Sequence, residues 1–378
     1  MKSLVLAVAI FLLPWATHAA NFYSLANGAT QQITEHGVCK KVTNSIGKAI
    51  FIPTKTSTEW AAFYNASTPG ITKAACTCNY TWTERTGSGA RNWYGVAGSA
   101  DGTKLVAGAY GGNLYTSSNS GATWTARTGP GTGNWFAFAS SDDGTKMAAV
   151  KYGSYVYTSS DSGVTWTQRS VGPGATGNWR DIASSADGTK LVVVAQSGGI
   201  YTSADSGATW TTRTAAGTGN WYAVTMSNDG TKIAAARTSG GAIYTSTDSG
   251  ATWTTRTAAG SRSWFSLASS GDGSIILAGA TGSTAIYSYL STDGGATWTT
   301  LSNLGDGTWM GIALSDDGSK RLLANSGSYI VTSVNGGTSY VTQTTAGIRD
   351  WYRATMGSDG TTIAIPNYGG YIYTATCN

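Results

Sequence analysis

Ser246-Thr247-Asp248-Ser249-Gly250-Ala251-Thr252-Trp253, followed by Thr254-Thr255-Arg256, is a phrase that this chain repeats at a nearly fixed period. Its closing aromatic stands at Trp82, Trp124, Trp166, Trp210, Trp253, Trp298 and Tyr340, at intervals of 42, 42, 44, 43, 45 and 42 residues. A period of this size marks a repeat architecture rather than a single-core globule. Inside each interval the order is constant: Asn220-Trp221 and a strand, Asp229-Gly230-Thr231-Lys232, an apolar strand, Gly240-Gly241, then Ile243-Tyr244-Thr245-Ser246. Four short β-branched and aromatic stretches separated by turn residues read as a four-stranded antiparallel meander, A to D. The Asp-Gly pair between A and B is expected to form a two-residue hairpin turn with positive φ at both positions. Seven such units repeated radially predict an all-β chain, a seven-bladed β-propeller of four-stranded antiparallel blades with a small N-terminal cap module.

The two ends of the repeat region complement each other. The chain stops at Tyr373-Thr374-Ala375-Thr376-Cys377-Asn378, in the middle of the phrase, and Cys78-Asn79-Tyr80-Thr81-Trp82 supplies the missing strand D. Residues 76–378 are therefore expected to close into a ring in which both ends share one blade. Alignment on the repeat puts Cys377 level with Thr77, so Cys78 or Cys76 is its partner. Cys78–Cys377 with Cys39–Cys76 is the preferred arrangement, because it closes the leader module on itself. A bond across this seam closes a loop of about 300 residues, of order 5 kcal/mol in the loop-entropy account.

With 41% apolar and 11% charged residues, 51 glycines and 15 tryptophans, the composition excludes disorder and long helices. Residues 1–20 read as a signal peptide: Lys2, an apolar run from Leu4 to Trp15, and a small-residue end at Thr17-His18-Ala19-Ala20. That run is short for a membrane span, which needs roughly 20 apolar residues. The expected location is secreted, extracellular or periplasmic, where disulfides persist. Residues 21–75 fall outside the repeat and are read as a cap or leader module, with a short helix over Thr58 to Phe63 and no chemistry of its own. Beyond the signal peptide only His36 remains among the histidines, so no metal and no cofactor are expected. The net charge of +5 lacks the dense basic clusters of nucleic-acid binders.

Ser159–Trp166, Ser203–Trp210, Ser246–Trp253 and Ser291–Trp298 fit Ser-x-Asp-x-Gly-x-Thr-Trp, Ser117–Trp124 carries Asn119 in place of the aspartate, and Ser333–Tyr340 is degenerate. This pattern resembles the Asp-box (BNR) repeat of sialidases, sortilin-type receptors, some polysaccharide hydrolases and photosystem assembly factors. The leader module loosely resembles those of bacterial exported proteins. The resemblance implies that Asp and Ser of each box bond turn amides, that its Trp lies between sheets, and that ligands bind the opposite, top face. It implies no single function.

In such a meander the A–B and C–D turns share the bottom face, and the B–C and D–A loops share the top. Strand A opens on Trp93, Trp135, Trp179, Trp221, Trp264, Trp309 and Trp351, one per blade. These indoles either fill the packing between blades or present faces on which sugars stack, with Asn92, Asn134, Asn178 and Asn220 beside them. The top loops add Arg91, Tyr110, Lys151, Tyr152, Gln196, Arg237, Arg262, Asn325, Arg349, Asn367 and Tyr368, and strand A adds Arg180 and Arg353. Acidic residues expected there are only Asp181, Asp306 and Asp350. The candidate ligand-binding set is the seven indoles with Arg180, Arg237, Arg262, Arg349, Arg353, Tyr110 and Tyr152, a net basic face suited to an anionic glycan or an acidic protein surface.

Glycoside hydrolysis needs two carboxylates flanking the bond. Of 16 aspartates, 7 sit in A–B turns and 4 in boxes, and Glu84 is the only glutamate of the propeller. No Arg-Ile-Pro precedes the first box, which argues against a sialidase. A hydrolase would have to use Asp181 with Asp306 or Asp350. The sequence thus predicts a secreted, monomeric, non-catalytic module, glycan-binding first, a protein-interaction scaffold, adhesin or assembly factor second, and a glycoside hydrolase third. Several equivalent sites would favour the lectin, and one unequal patch the scaffold.

Overall fold

Blade 4 shows how the repeat folds. Strand A (Trp221–Met226) pairs with B (Ile233–Arg237), B with C (Ile243–Ser246) and C with D (Thr254–Arg256), all antiparallel. The computed structural model describes residues 78–377 apart from 173, 175 and 283–286, and the backbone of 22–25, 30–35, 38–44, 50–53 and 71–75. Contacts divide the chain into units Met1–Thr77 and Cys78–Asn378. The second is a seven-bladed propeller with strand A innermost in every blade. Strand B is apolar on both faces, as in Leu191–Ala195, since each blade is sandwiched between two others.

The A–B turn is not the expected two-residue hairpin. Ser227 N–H donates to Lys232 C=O and Gly230 N–H to Ser227 C=O, and of Asp229 and Gly230 only the glycine has positive φ, 68°. The aspartate instead accepts from Ser227 Oγ (2.6 Å) and Thr231 N–H (2.9 Å), which holds it in ordinary backbone geometry. Lys232 then reaches the next blade, donating to the Asp272 carbonyl at 2.8 Å. The Asp-Gly-Thr-Lys text is therefore an inter-blade stitch. A side chain at Gly144 would strike the neighbouring Lys104 within 2.8 Å, a second reason for glycine there.

Just before each of these aspartates, the backbone forms a closed circuit. The N–H groups of residues 100, 142, 186, 228, 271, 316 and 358 each donate to the carbonyl of the same position one blade on, and Ser358 returns to Ala100, at 2.7–2.9 Å. This circuit ties all seven blades at the bottom of the channel. Inside it, Asn228 Nδ2 donates to Asp316 at 2.8 Å across Gly271, where a Cβ would lie 2.6 Å from that nitrogen.

The seam closes as the sequence predicts. Strands Thr355–Met356, Thr362–Pro366 and Ile372–Cys377 are completed by Tyr80–Arg85, and Cys78 is bonded to Cys377. The register is that of the complete blades: Ile372 stands opposite Arg85 as Ile243 stands opposite Arg256, and the pairing buries Tyr80, Tyr373 and Ala375 together. The split blade has no complete box, so Trp82 Nε1 donates to Gln343 of blade 6 (2.9 Å), where Trp166 uses Gly163 of its own box (3.0 Å).

The first unit contains strands where only a helix was expected. Phe22–Leu25 pairs with Ile50–Pro53, and Thr30–Glu35, Val38–Asn44 and Ile71–Ala75 form a three-stranded sheet. Lys40 faces Ala75, one step from Cys39 and Cys76. The Cys39–Cys76 pairing, the helix near Thr58 and the signal peptide lie outside the described residues.

Candidate functional site

The seven strand-A tryptophans are buried, at 0–2% exposure. Trp221 packs among Val192, Val194 and Ile200 of blade 3 and Ile233 and Ala235 of its own blade. Five of the indoles donate Nε1 to loop carbonyls, such as Trp179 to Ser154 (2.8 Å) and Trp93 to Gly89 (3.1 Å). Six stand edge-on to the tyrosine of strand C, as Trp221 to Tyr244 with centroids 5.0 Å apart. The exposed-indole expectation for Trp93, Trp135, Trp179, Trp221, Trp264, Trp309 and Trp351 is corrected: a large ring at the start of strand A removes most apolar area by entering the inter-blade gap.

Most of the loop arginines lid these pairs. Arg237 lies 4.3 Å over Trp221 and 4.7 Å over Tyr244 and donates to the Ala216 carbonyl. Arg262 covers Tyr289 and Arg349 covers Tyr373, each at 4.7 Å, and Arg91 covers Tyr115 at 4.8 Å. Stacking holds their cationic faces against the protein. Arg353 is likewise not free, because it is ion-paired with Asp181 and donates to the Tyr222 carbonyl (2.9 Å).

The residue after each tryptophan behaves differently. Strand A bulges there in six blades, for example between Trp135 and Ala137. The unpaired residue breaks the alternation and turns toward the channel. This puts Tyr94, Phe136, Arg180, Tyr222, Phe265, Met310 and Tyr352 in one ring of positions at the top of the channel. Tyr94 contacts Phe136 (4.4 Å between centroids) and Tyr352 (4.9 Å), and Tyr222 contacts Phe265 (4.1 Å). Tyr110, Tyr152 and Tyr368 of the B–C loops complete the wall. Tyr110 is 43% exposed.

Arg180 is the cation of this cup. Its guanidinium lies 4.7, 4.5 and 5.0 Å over Phe136, Tyr152 and Tyr222, and Nε and Nη2 both donate to Gln196 Oε1, the former at 2.8 Å. Among the described residues it has no acidic partner. Burial, then the neighbouring phenols, push the Tyr94 hydroxyl well above its ordinary value, so it stays a neutral donor. Burial raises Tyr352 in the same way. Of the sequence-predicted set, then, Arg180, Tyr110 and Tyr152 converge, while the indoles and the other arginines do not. Tyr94, Phe136, Tyr222, Phe265, Met310 and Tyr352 were missed, although a variable residue after a constant tryptophan marks them.

Below the cup a cavity of about 130 Å³ is lined by Asp181, Arg353, Val224, Ser266, Met310 and others. A larger one, about 270 Å³, opens between blades 4 and 5 on the bottom, beside Lys232, Arg256 and Asp293. Its charged groups already serve turns: Asp293 accepts from Thr297 and Ser291, and Arg256 donates to Thr245. Lys232 is likewise engaged, on the Asp272 carbonyl, so the charged groups of the larger cavity all have partners within the fold.

A model of the sortilin, neurotensin receptor 3 family (Sortilin-Vps10) matches residues 198–337. No curated protein matches the chain. Among solved structures it is similar to YCF48 bound to D1 peptide, at 15% identity and a TM-score of 0.61 over 79% of this chain and 97% of that one. It is also similar to the GH74 enzyme of Niastella koreensis (15%, 0.63) and the GH74 xyloglucanase of Xanthomonas campestris (16%, 0.61), each over 78% of this chain. It spans about half of those two enzymes, 53%. These likenesses show the propeller fold. Among the described residues no helix is long and apolar enough to cross a membrane.

Proposed function

We propose that this is an exported, non-catalytic binding propeller that grips an acidic protein segment in the central cup of its top face. The observation that carries this reading is the inequality of the cup. Tyr94, Phe136, Arg180, Tyr222, Phe265, Met310 and Tyr352 differ from blade to blade where the surrounding text does not, so there is one site and not seven. Glycan stacking on repeated indoles lacks its platform, because those rings are buried. Aromatic walls supply affinity for apolar side chains and Arg180 a charge-assisted donor for a carboxylate. The similar YCF48, seen bound to a D1 peptide, gives a precedent for peptide capture by this fold.

A hydrolytic role finds little support. Asp181, the carboxylate beneath the cup, is buried, accepts the Val224 and Ile182 N–H groups, and is paired with Arg353. Burial pushes its carboxyl up while Arg353 pulls it down. The disulfide at the seam suits an oxidising compartment.

Selection of a displayed random-peptide library on the immobilised protein, beside a glycan array, tests this. The expected result is enrichment of acidic, aromatic-containing peptides whose binding falls at least about tenfold in Tyr94→Ala or Arg180→Gln, with a silent glycan array. Glycan binding that survives both substitutions would refute it.

A further inference from the structure

The position two after each strand-A tryptophan holds one oddity. It is occupied by Gly95, Ala137, Asp181, Ala223, Ser266, Gly311 and Arg353. Five blades place a small residue at the channel wall, and two place opposite charges that meet across the channel, from blade 3 to blade 7. Removing a carboxylate and a guanidinium from water costs more than their attraction commonly returns, and apolar or small replacements of a buried pair are often neutral or stabilising. The five sister blades show that this ring does not require charge at the position. Stability alone therefore gives no account of the pair.

Its connections give one. Asp181 directly follows Arg180, the bulged residue of blade 3. One carboxylate oxygen takes the Val224 N–H of blade 4 at 2.9 Å, and the other takes the Ile182 N–H at 3.0 Å and Arg353. Arg353 in turn donates to the carbonyl of Tyr222, the residue whose ring lies 5.0 Å beneath the Arg180 guanidinium, and its own guanidinium lies 5.8 Å from that ring. A single pair thus fixes the backbone on both sides of the Arg180–Tyr222 stack and ties blades 3, 4 and 7 under the cup.

We infer that Asp181 and Arg353 are positioning residues, a cross-channel brace that holds Arg180 and Tyr222 in their binding geometry. This rests on the cup being the binding site, but the brace is testable without any ligand. The full-length protein is labelled with ¹⁵N-arginine, and the Arg180 Nε–H resonance is assigned by its loss in Arg180→Lys. Stacked on three rings and bonded to Gln196, it is expected to be ring-current shifted and slow to exchange. Removing one member leaves a buried unpaired charge and threatens folding. The decisive variant is therefore the double Asp181→Ala/Arg353→Ala, which copies the small residues of the sister blades.

The brace predicts that the double variant unfolds at or above the parent temperature while the Arg180 resonance moves to the ordinary arginine position and its exchange accelerates at least about tenfold. A resonance unmoved in the folded double variant overturns the inference, as does a double variant that loses the fold. A short polyglutamate peptide added to the parent addresses the cup separately: a saturable shift of the Arg180 signal is expected, weakened at least about tenfold in the double variant. If the parent shows no such shift, the acidic-segment reading fails, and the ligand-free comparison still decides the brace.

Discussion

Replacing Trp221 with alanine removes an indole that has no exposed surface and sits between blades 3 and 4. An aromatic of this size buries about 200 Å², worth about 5 kcal/mol at the usual area coefficient. The lost donor to the Gly217 carbonyl, at 3.3 Å, adds about 1 kcal/mol. Partial collapse of blade 3 onto blade 4 and residual burial in the unfolded chain pull the sum down, so a loss of about 4 kcal/mol is expected, within the range of large-to-small core changes. Trp221→Phe keeps the edge-on contact with Tyr244 and should lose about 2 kcal/mol. Tyr110→Ala, at the open edge of the cup, should lose less than about 1 kcal/mol. Guanidinium unfolding followed by circular dichroism ranks the three. A Trp221→Ala protein within about 1 kcal/mol of the parent would refute the packing argument and return the indoles to the ligand face.

Cys78→Ser/Cys377→Ser opens a loop of 299 residues and should lower stability by about 5 kcal/mol, measured by the same unfolding experiment; non-reducing peptide mapping should also yield a Cys39–Cys76 pair. The acid limb of stability is set by the turns. Ser and Thr hydroxyls, then turn amides, hold Asp143, Asp187, Asp229, Asp205, Asp248 and Asp293 at about 2. These folded values lie below the unfolded one of about 3.9, so their stabilisation is complete above about pH 4 and is lost as pH falls toward about 2. Asp142 has the opposite sign, since burial and then Asp316 raise it, and Asp142→Asn should stabilise the protein at neutral pH. Thermal melts from about pH 2 to about pH 7 check both signs.

The fold was legible because the sequence repeats in phase: Trp221 and Asp229-Gly230 recur once in every blade and the Ser246–Trp253 box, in full or degenerate form, in six, so period and strand count reinforce each other. The seam was legible because a truncated phrase at Tyr373–Cys377 finds its complement at Cys78–Trp82. The site was only half visible. Tryptophan beside asparagine on a top loop suits packing and ligand stacking equally, and the inter-blade depth that decides between them is a property of neighbouring blades. The bulge after six of the tryptophans was invisible as well. An uninterrupted alternation would place Phe136 and Tyr222 opposite to where they lie, and only the slipped pairing of Trp135 with Lys151 and Ala137 with Val150 aims them at the channel. Arg180 was named for its charge, whereas its value to the cup comes from three rings and one glutamine that lie far apart in sequence.

Hydrogen-exchange mass spectrometry of the protein with and without a library-selected acidic peptide tests the binding reading most directly. The account predicts slowed exchange in segments bearing Tyr94, Tyr110, Phe136, Arg180, Tyr352 and Tyr368, with the Asp-box turns unchanged. Protection confined to the box face, or spread equally over all seven blades, would contradict a single central cup.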